Sequence, residues 1–177
     1  MEKFNFFIPV EFEKAGKEDP NARYKNMIVH GVASTNDIDL DNQVIEPNGL
    51  VLDTFLSTGL INYEHQAKRT PKAYIGEPIE ATVKDNKLYV KGKLWEKSQL
   101  ARDLYDTVCI MKESGSKRRL AWSIEGMPLM KDPHNPNRIT KALITHVALT
   151  FAPKNASTYA EFVSKGQTTP PDQWDYE

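Results

Sequence analysis

One serine and two histidines stand in segments that we predict to be β-strands, and together these residue types can carry out acyl transfer. Ser123 lies in the run Leu-Ala-Trp-Ser-Ile-Glu-Gly, His65 follows a short apolar run, and His146 lies in Ile-Thr-His-Val-Ala-Leu. A serine hydroxyl is a poor nucleophile at neutral pH, but a neutral imidazole within hydrogen-bond reach accepts its proton while a third group fixes the imidazole tautomer. The set therefore predicts a catalytic group of Ser123, His65 and His146.

Two other uses of these side chains remain open. Glu125 could supply an acid in place of His146, because residues two apart on a strand share a face and Glu125 would lie beside Ser123. His65 and His146 could instead hold a catalytic metal, but the four histidines include no close pair such as His-x-x-x-His. We therefore expect neither a metal nor a cofactor.

Other reactive side chains have simpler explanations. The carboxylates at 37–41 have the spacing that opens a calcium-binding loop, but Asn42 and Asn48 occupy the positions that need a glycine and a bidentate glutamate. Cys109 lies among apolar residues of a predicted helix, where a thiol usually packs without reacting. The basic cluster at 117–119 is expected to be a solvated loop.

Composition restricts the class of protein. The chain has 177 residues, of which 40% are hydrophobic and 27% charged, and its net charge is -1. These values suit one globular domain and lack the basic excess of a nucleic-acid-binding protein, so we expect no specific nucleic-acid partner. No apolar run is long enough to span a membrane, and the single cysteine fits a reducing compartment.

The elements that must position these side chains are mostly strands. Alternating apolar residues predict several of them, including a hairpin that turns at Asp85-Asn86, whereas apolar residues spaced by three or four predict helices. Strands are expected at 24–33, 60–63, 79–84, 88–94, 120–127 and 139–151, with helices at 47–59, 98–115 and 157–164. About seven strands without regular strand–helix alternation predict a mainly β fold, either a curled sheet or a β-barrel, with peripheral helices. We place the folded domain at 23–165, after an N-terminal extension at 1–22 and before a flexible tail at 166–177.

Short motifs follow one another in a distinctive order from about residue 27 to about residue 160. They are Gly-x-Ala-Ser at 31–34, an Asp-rich loop at 37–41, Pro-x-Gly at 47–49, His65 after a short strand, Ile-Gly at 75–76, Ser123-Ile124 with Gly126 following, and Pro-x-Asn at 153–155. In this order they resemble the prohead proteases of tailed bacteriophages, which share a fold with the herpesvirus assembly protease. The resemblance implies a herpesvirus-protease-like fold for most of the chain.

The resemblance also implies an activity and its residues. It implies a serine endopeptidase that cleaves scaffold protein, the scaffolding segment of the major capsid protein and itself, inside the procapsid in the host bacterial cytoplasm. Many phage members carry an acidic residue in the last strand, whereas His146 is similar to the second histidine of the herpesvirus branch. In the family the oxyanion site lies eight or nine residues beyond the second histidine, so the resemblance implies an oxyanion site at the backbone of Lys154 and Asn155. The herpesvirus relatives imply a homodimer, and the alternative is a non-catalytic capsid- or scaffold-binding module of the same fold.

Overall fold

A computed structural model describes residues 19–163, which form a nine-stranded sheet with two α-helices. The strands are β1 (Ile28–Thr35), β2 (Val44–Ile45), β3 (Leu50–Val51), β4 (Ile61–Tyr63), β5 (Tyr74–Lys84), β6 (Lys87–Leu94), β7 (Ala121–Lys131), β8 (Arg138–Thr150) and β9 (Glu161–Phe162), and the helices are α1 (Asp53–Thr58) and α2 (Gln99–Glu113). The predicted tail at 166–177 and most of the predicted extension at 1–22 lie outside the described residues. None of the helices within 19–163 is long and apolar enough to cross a bilayer.

The long strand β8 organises the sheet. It pairs in parallel with β2, β3 and β4, and in antiparallel with β7. The remaining strands continue from β4 in the order β5, β6, β1 and β9. The predicted mainly β fold is confirmed, but the sheet is not closed, so the barrel is not formed. Three of the nine strands have only two residues, too few for an alternating pattern to reveal them.

Local sequence signals account for the hairpin and the main helix. Asp85 and Asn86 both have positive φ, 49° and 60°, which matches the tight turn that the right-handed twist of β5 and β6 requires. Ser98 caps α2 as predicted, because its hydroxyl accepts a hydrogen bond from the Ala101 N–H at 3.2 Å. The left-handed Gly115, at φ 70°, follows soon after the end of the helix.

Three predicted elements differ from the structure. The helix predicted at 47–59 is α-helical only over α1, because Leu50 and Val51 pair with β8 and form β3 instead. Strand β7 continues to Lys131 through a region predicted as a connection, because Pro128 sits next to an irregularity in the pairing with β8 and interrupts it only locally. The helix predicted at 157–164 is wrong. Residues in that segment bond to β1 instead, where the Tyr159 N–H donates to the Val32 carbonyl at 3.0 Å and β9 adds to the sheet edge.

Side chains on the buried face of the sheet pack the strands β4, β7 and β8 together. Ile61 of β4, Trp122 of β7 and Val147 of β8 are all fully buried. Gly92 on β6 makes room for them, since a Cβ there would lie 2.3 Å from Ile61 Cδ1. Burying Trp122 forces the next residue, Ser123, toward the opposite face of β7 because side chains alternate along a strand.

Candidate active site

Ser123 and Glu125 lie on the same face of β7. Ser123 is paired with Ala148 of β8, and Glu125 is paired with His146. Residues two apart along a strand are separated by about 6–7 Å. The serine hydroxyl and the carboxyl group therefore form a fixed pair on one rigid strand.

His65 reaches this pair from a turn that follows β4. Glu64 and His65 both have left-handed backbone conformations, with φ of 52° and 55°. Strand β4 pairs with β8 on the side away from β7, so β8 lies between the strand that leads to His65 and the strand that carries Ser123. The left-handed turn directs the His65 imidazole back toward β7.

The imidazole of His65 joins the serine to the carboxylate. Its Nε2 lies 2.8 Å from Ser123 Oγ, and its Nδ1 is hydrogen-bonded to Glu125 Oε1. The proton on Nδ1 points to the carboxylate, so Nε2 is left with the lone pair that can accept the serine proton. This arrangement has the geometry of a nucleophile, a general base and an orienting acid.

Glu125 carries a negative charge beside His65. Burial acts to raise the pKa of its carboxyl group, but hydrogen bonds from His65 and Asn62 and the nearby imidazoles of His65 and His146 outweigh burial. The pKa therefore lies below its ordinary value of 4.5. The group is ionised at neutral pH and can stabilise a positive charge on the imidazole.

The structure differs from the sequence prediction in the third member of the catalytic group, which was expected to be His146. His146 does not reach His65; its Nδ1 accepts a hydrogen bond from the Leu60 N–H at 2.9 Å, and its ring lies 5.5 Å from that of Tyr74. Glu125, its neighbour across the strand pair, makes the contact with His65 instead. The weaker alternative from the sequence, Glu125, is therefore the one that the geometry places on the imidazole.

Asn62 is a site residue that the sequence analysis missed. It is 1% exposed, and its Nδ2 donates to Glu125 Oε1 at 2.8 Å. Its own Oδ1 has no hydrogen-bond partner within residues 19–163. An asparagine between apolar residues of a short strand was the available signal, since buried polar side chains usually have a specific partner.

Ser123 opens onto a cavity of about 320 Å³ that Lys154 and Asn155 also line. The Lys154 carbonyl accepts from the Leu40 N–H at 3.0 Å, and Asn155 Nδ2 donates to Thr35 Oγ1 at 2.9 Å. No hydrogen bond between described residues uses the backbone N–H of Lys154 or Asn155. The predicted oxyanion segment therefore shares a cavity with the serine and retains two backbone donors. The walls of the cavity are mixed: apolar side chains such as Ile45, Met127 and Ile144 line it together with the carboxyl groups of Asp37, Asp39 and Asp41.

The fold is similar to that of herpesvirus proteases. The protease of Kaposi's sarcoma-associated herpesvirus, in complex with a hexapeptide phosphonate inhibitor, aligns with a TM-score of 0.52 and 15% identity over 78% of this chain and 65% of that one. The varicella-zoster virus protease aligns with a TM-score of 0.44 and 16% identity, over 78% and 64% of the two chains. This chain thus spans less than two thirds of the length of these proteases. The sequence matches no family model and is not significantly similar to any curated protein.

Proposed function

We propose that this chain is a serine endopeptidase with Ser123 as nucleophile, His65 as general base and Glu125 as the orienting acid. One observation carries the proposal: a single imidazole contacts the serine hydroxyl through Nε2, at 2.8 Å, and an ionised carboxylate through Nδ1. Side chains that only satisfy each other's hydrogen bonds on a sheet surface need not place one imidazole between a hydroxyl group and a carboxylate. Glu125 thus takes the role that the sequence assigned to His146.

The reaction follows from these contacts. Ser123 Oγ attacks the peptide carbonyl carbon while its proton passes to Nε2 of His65, and the Glu125 carboxylate stabilises the resulting imidazolium. The carbonyl oxygen becomes an oxyanion, for which the N–H groups of Lys154 and Asn155 are the proposed donors. When the C–N bond breaks, the leaving amine takes the proton from His65. Water then attacks the acyl-enzyme with His65 again as base, which releases the acid and restores Ser123.

We further propose that the substrates are capsid proteins. The motif order resembles that of phage prohead proteases, and the fold is shared with herpesvirus proteases. The substrates would be scaffold protein, the scaffolding segment of the major capsid protein and the protease itself, within the procapsid in the bacterial cytoplasm. Confinement there gives enzyme and substrate a high effective concentration, so a slow protease suffices. A homodimer remains part of the proposal.

A serine-reactive phosphonate probe tests the chemistry. The wild-type protein should be labelled at Ser123, and Ser123→Ala should lose this labelling because the hydroxyl that His65 contacts is removed. Ser57→Ala, which changes an exposed serine of α1, is the matched control and should be labelled like the wild type. Intact mass counts the adducts, and peptide masses after digestion locate them.

Two results would contradict the proposal. Wild-type protein that folds but shows no adduct at Ser123 would favour the non-catalytic capsid- or scaffold-binding module. Peptide cleavage that a chelator abolishes, with labelling of Ser123 absent, would favour a metal-dependent hydrolase.

A further inference from the structure

Glu64 ties the turn that carries His65 to the end of β8. Its Oε2 accepts a hydrogen bond from the Thr150 hydroxyl at 2.8 Å, and its Oε1 accepts from the Phe151 N–H at 2.9 Å. Its own N–H donates to the Leu149 carbonyl at 3.0 Å. Leu149 and Thr150 at the end of β8, and Phe151 directly after it, therefore hold one side chain and its backbone.

The backbone that these bonds hold is an unusual one. Glu64 and His65 are consecutive, neither is glycine, and both have φ near 50–55°. Residues with a Cβ occupy this region only when their surroundings fix them there, and such positions cluster at functional sites. The carboxylate of Glu64 is the side-chain contact that fixes this turn to β8.

The same strand also positions the nucleophile. Ser123 is paired with Ala148, one residue before the first of the three residues that hold Glu64. His65 and Ser123 are thus both located relative to the last residues of β8. A change in the attachment of Glu64 must change the distance between Nε2 and Oγ.

We propose that Glu64 is a positioning residue: its carboxylate clamps the left-handed turn to β8 and so sets the His65–Ser123 contact. The inference rests on the proposed function of that pair. Glu64 does not line the cavity beside Ser123, so it should affect the chemical step and not the binding of substrate.

Two substitutions at one position separate the clamp from the backbone conformation. Glycine adopts a positive φ without strain but has no carboxylate. Glutamine keeps an oxygen that accepts from the Phe151 N–H, and its amide group can donate to the Thr150 hydroxyl. We expect Glu64→Gly to lower kcat by about 10- to 100-fold, as a misplacement of about 1 Å does, with KM for a peptide changed less than about twofold. Glu64→Gln should restore most of kcat. Glu77→Ala, which removes an exposed glutamate of β5, is the matched control and should match the wild type.

A readout independent of turnover comes from the ring proton that His65 shares with Glu125. Hydrogen bonding to a carboxylate deshields this proton, and its NMR signal can be assigned with His65→Ala in a Ser123→Ala background. The signal should shift or broaden in Glu64→Gly and persist in Glu64→Gln. A Glu64→Gly protein with wild-type kcat and an unchanged signal would overturn the inference. A wild-type protein without peptidase activity would instead refute the proposed function, and the NMR signal would still test the clamp.

Discussion

One imidazole spans two residues of a single strand. Ser123 and Glu125 point the same way from β7, and the two ring nitrogens of His65 contact one each. The spacing of about 6–7 Å between alternate residues of a strand fits an imidazole with a hydrogen bond at each end. A Ser-x-Glu pair on a strand face is therefore a compact way to hold a nucleophile and its acid in register.

The charge of Glu125 should matter more than its shape. Glu125→Gln keeps the side-chain size but removes the negative charge and allows the amide to favour the wrong tautomer of His65, so kcat should fall on the order of 10³–10⁴-fold. His146→Ala removes the acceptor of the Leu60 N–H, the ring contact with Tyr74 and one of the imidazoles that lower the pKa of Glu125, but it removes no contact with His65 and should lower kcat less than about tenfold. Steady-state kinetics on one peptide substrate measures both.

The ranking of the two variants is decisive. If His146→Ala were the more damaging substitution and Glu125→Gln nearly silent, the third catalytic position would return to His146. Thermal unfolding of both proteins serves as the control, because a loss of fold would lower the active fraction without changing the chemistry.

At this scale the sequence could predict two of the three residues that the structure brings together. Ser123 and His65 stand out because each polar residue lies in or after an apolar strand. Glu125 and His146 could not be ranked, since both lie on strands next to the nucleophile and only the register of β7 against β8 decides which reaches His65. That register contains an irregularity between Glu125 and Gly126, which no pattern within either strand reveals.

At the scale of elements, that irregularity depends on a glycine. A Cβ on Gly126 would lie 1.8 Å from the Leu143 carbonyl oxygen, so β7 and β8 approach more closely than any other residue allows. The same short segment carries Glu125. The close packing of the two strands therefore helps to set the position of the Glu125 carboxylate.

Gly126→Ala should consequently impair both stability and catalysis. Relief of the clash requires β7 to move from β8, at a cost of about 1–3 kcal/mol in the free energy of unfolding, and the movement displaces Glu125. Gly115→Ala is the control, because a Cβ there meets no atom within 4 Å and only the left-handed φ of 70° opposes it. Chemical denaturation and kcat should show a loss of both in Gly126→Ala, but of stability alone in Gly115→Ala. A fully active Gly126→Ala would show that the close approach serves packing only.

The predictable elements are those whose signals are local. The β5–β6 hairpin follows from alternation and an Asp-Asn turn, and α2 follows from its spacing and its serine cap. The strands β2, β3 and β9 exist only because a longer strand offers them partners, so their two residues carry no pattern of their own. The segment after β8 was mistaken for a helix for the same reason.

At the scale of the whole molecule, the strand that carries Ser123 lies at one end of the open sheet. Strand β7 pairs only with β8 among the described strands; before Ser123 the carbonyls of Trp122 and Leu120 accept hydrogen bonds from Thr158 and Ala160, whereas residues 126–131 of β7 are exposed. An extended segment of another protein can reach the exposed half of β7 without the sheet opening. This accessibility suits an enzyme whose proposed substrates are segments of folded capsid proteins.

Co-expression with the proposed capsid substrate tests that role. The wild-type chain should shorten the capsid protein by its scaffolding segment, whereas Ser123→Ala should leave it at full length because no acyl-enzyme can form. Intact mass spectrometry of assembled particles provides the measurement, and Ser57→Ala serves as the matched control. Identical capsid masses with the wild type and Ser123→Ala would refute the role in maturation, although labelling of Ser123 could still show a serine hydrolase.

The position of β8 between β4 and β7 has a consequence for the order of events during synthesis. His65, Ser123 and Glu125 all leave the ribosome before β8, which begins at Arg138. Until that strand pairs with both, β4 and β7 have no common neighbour, and the position of His65 relative to Ser123 is not fixed. Under the proposed function, the nascent chain is therefore latent and becomes able to cut only after β8 has joined the two strands that hold the proposed catalytic residues.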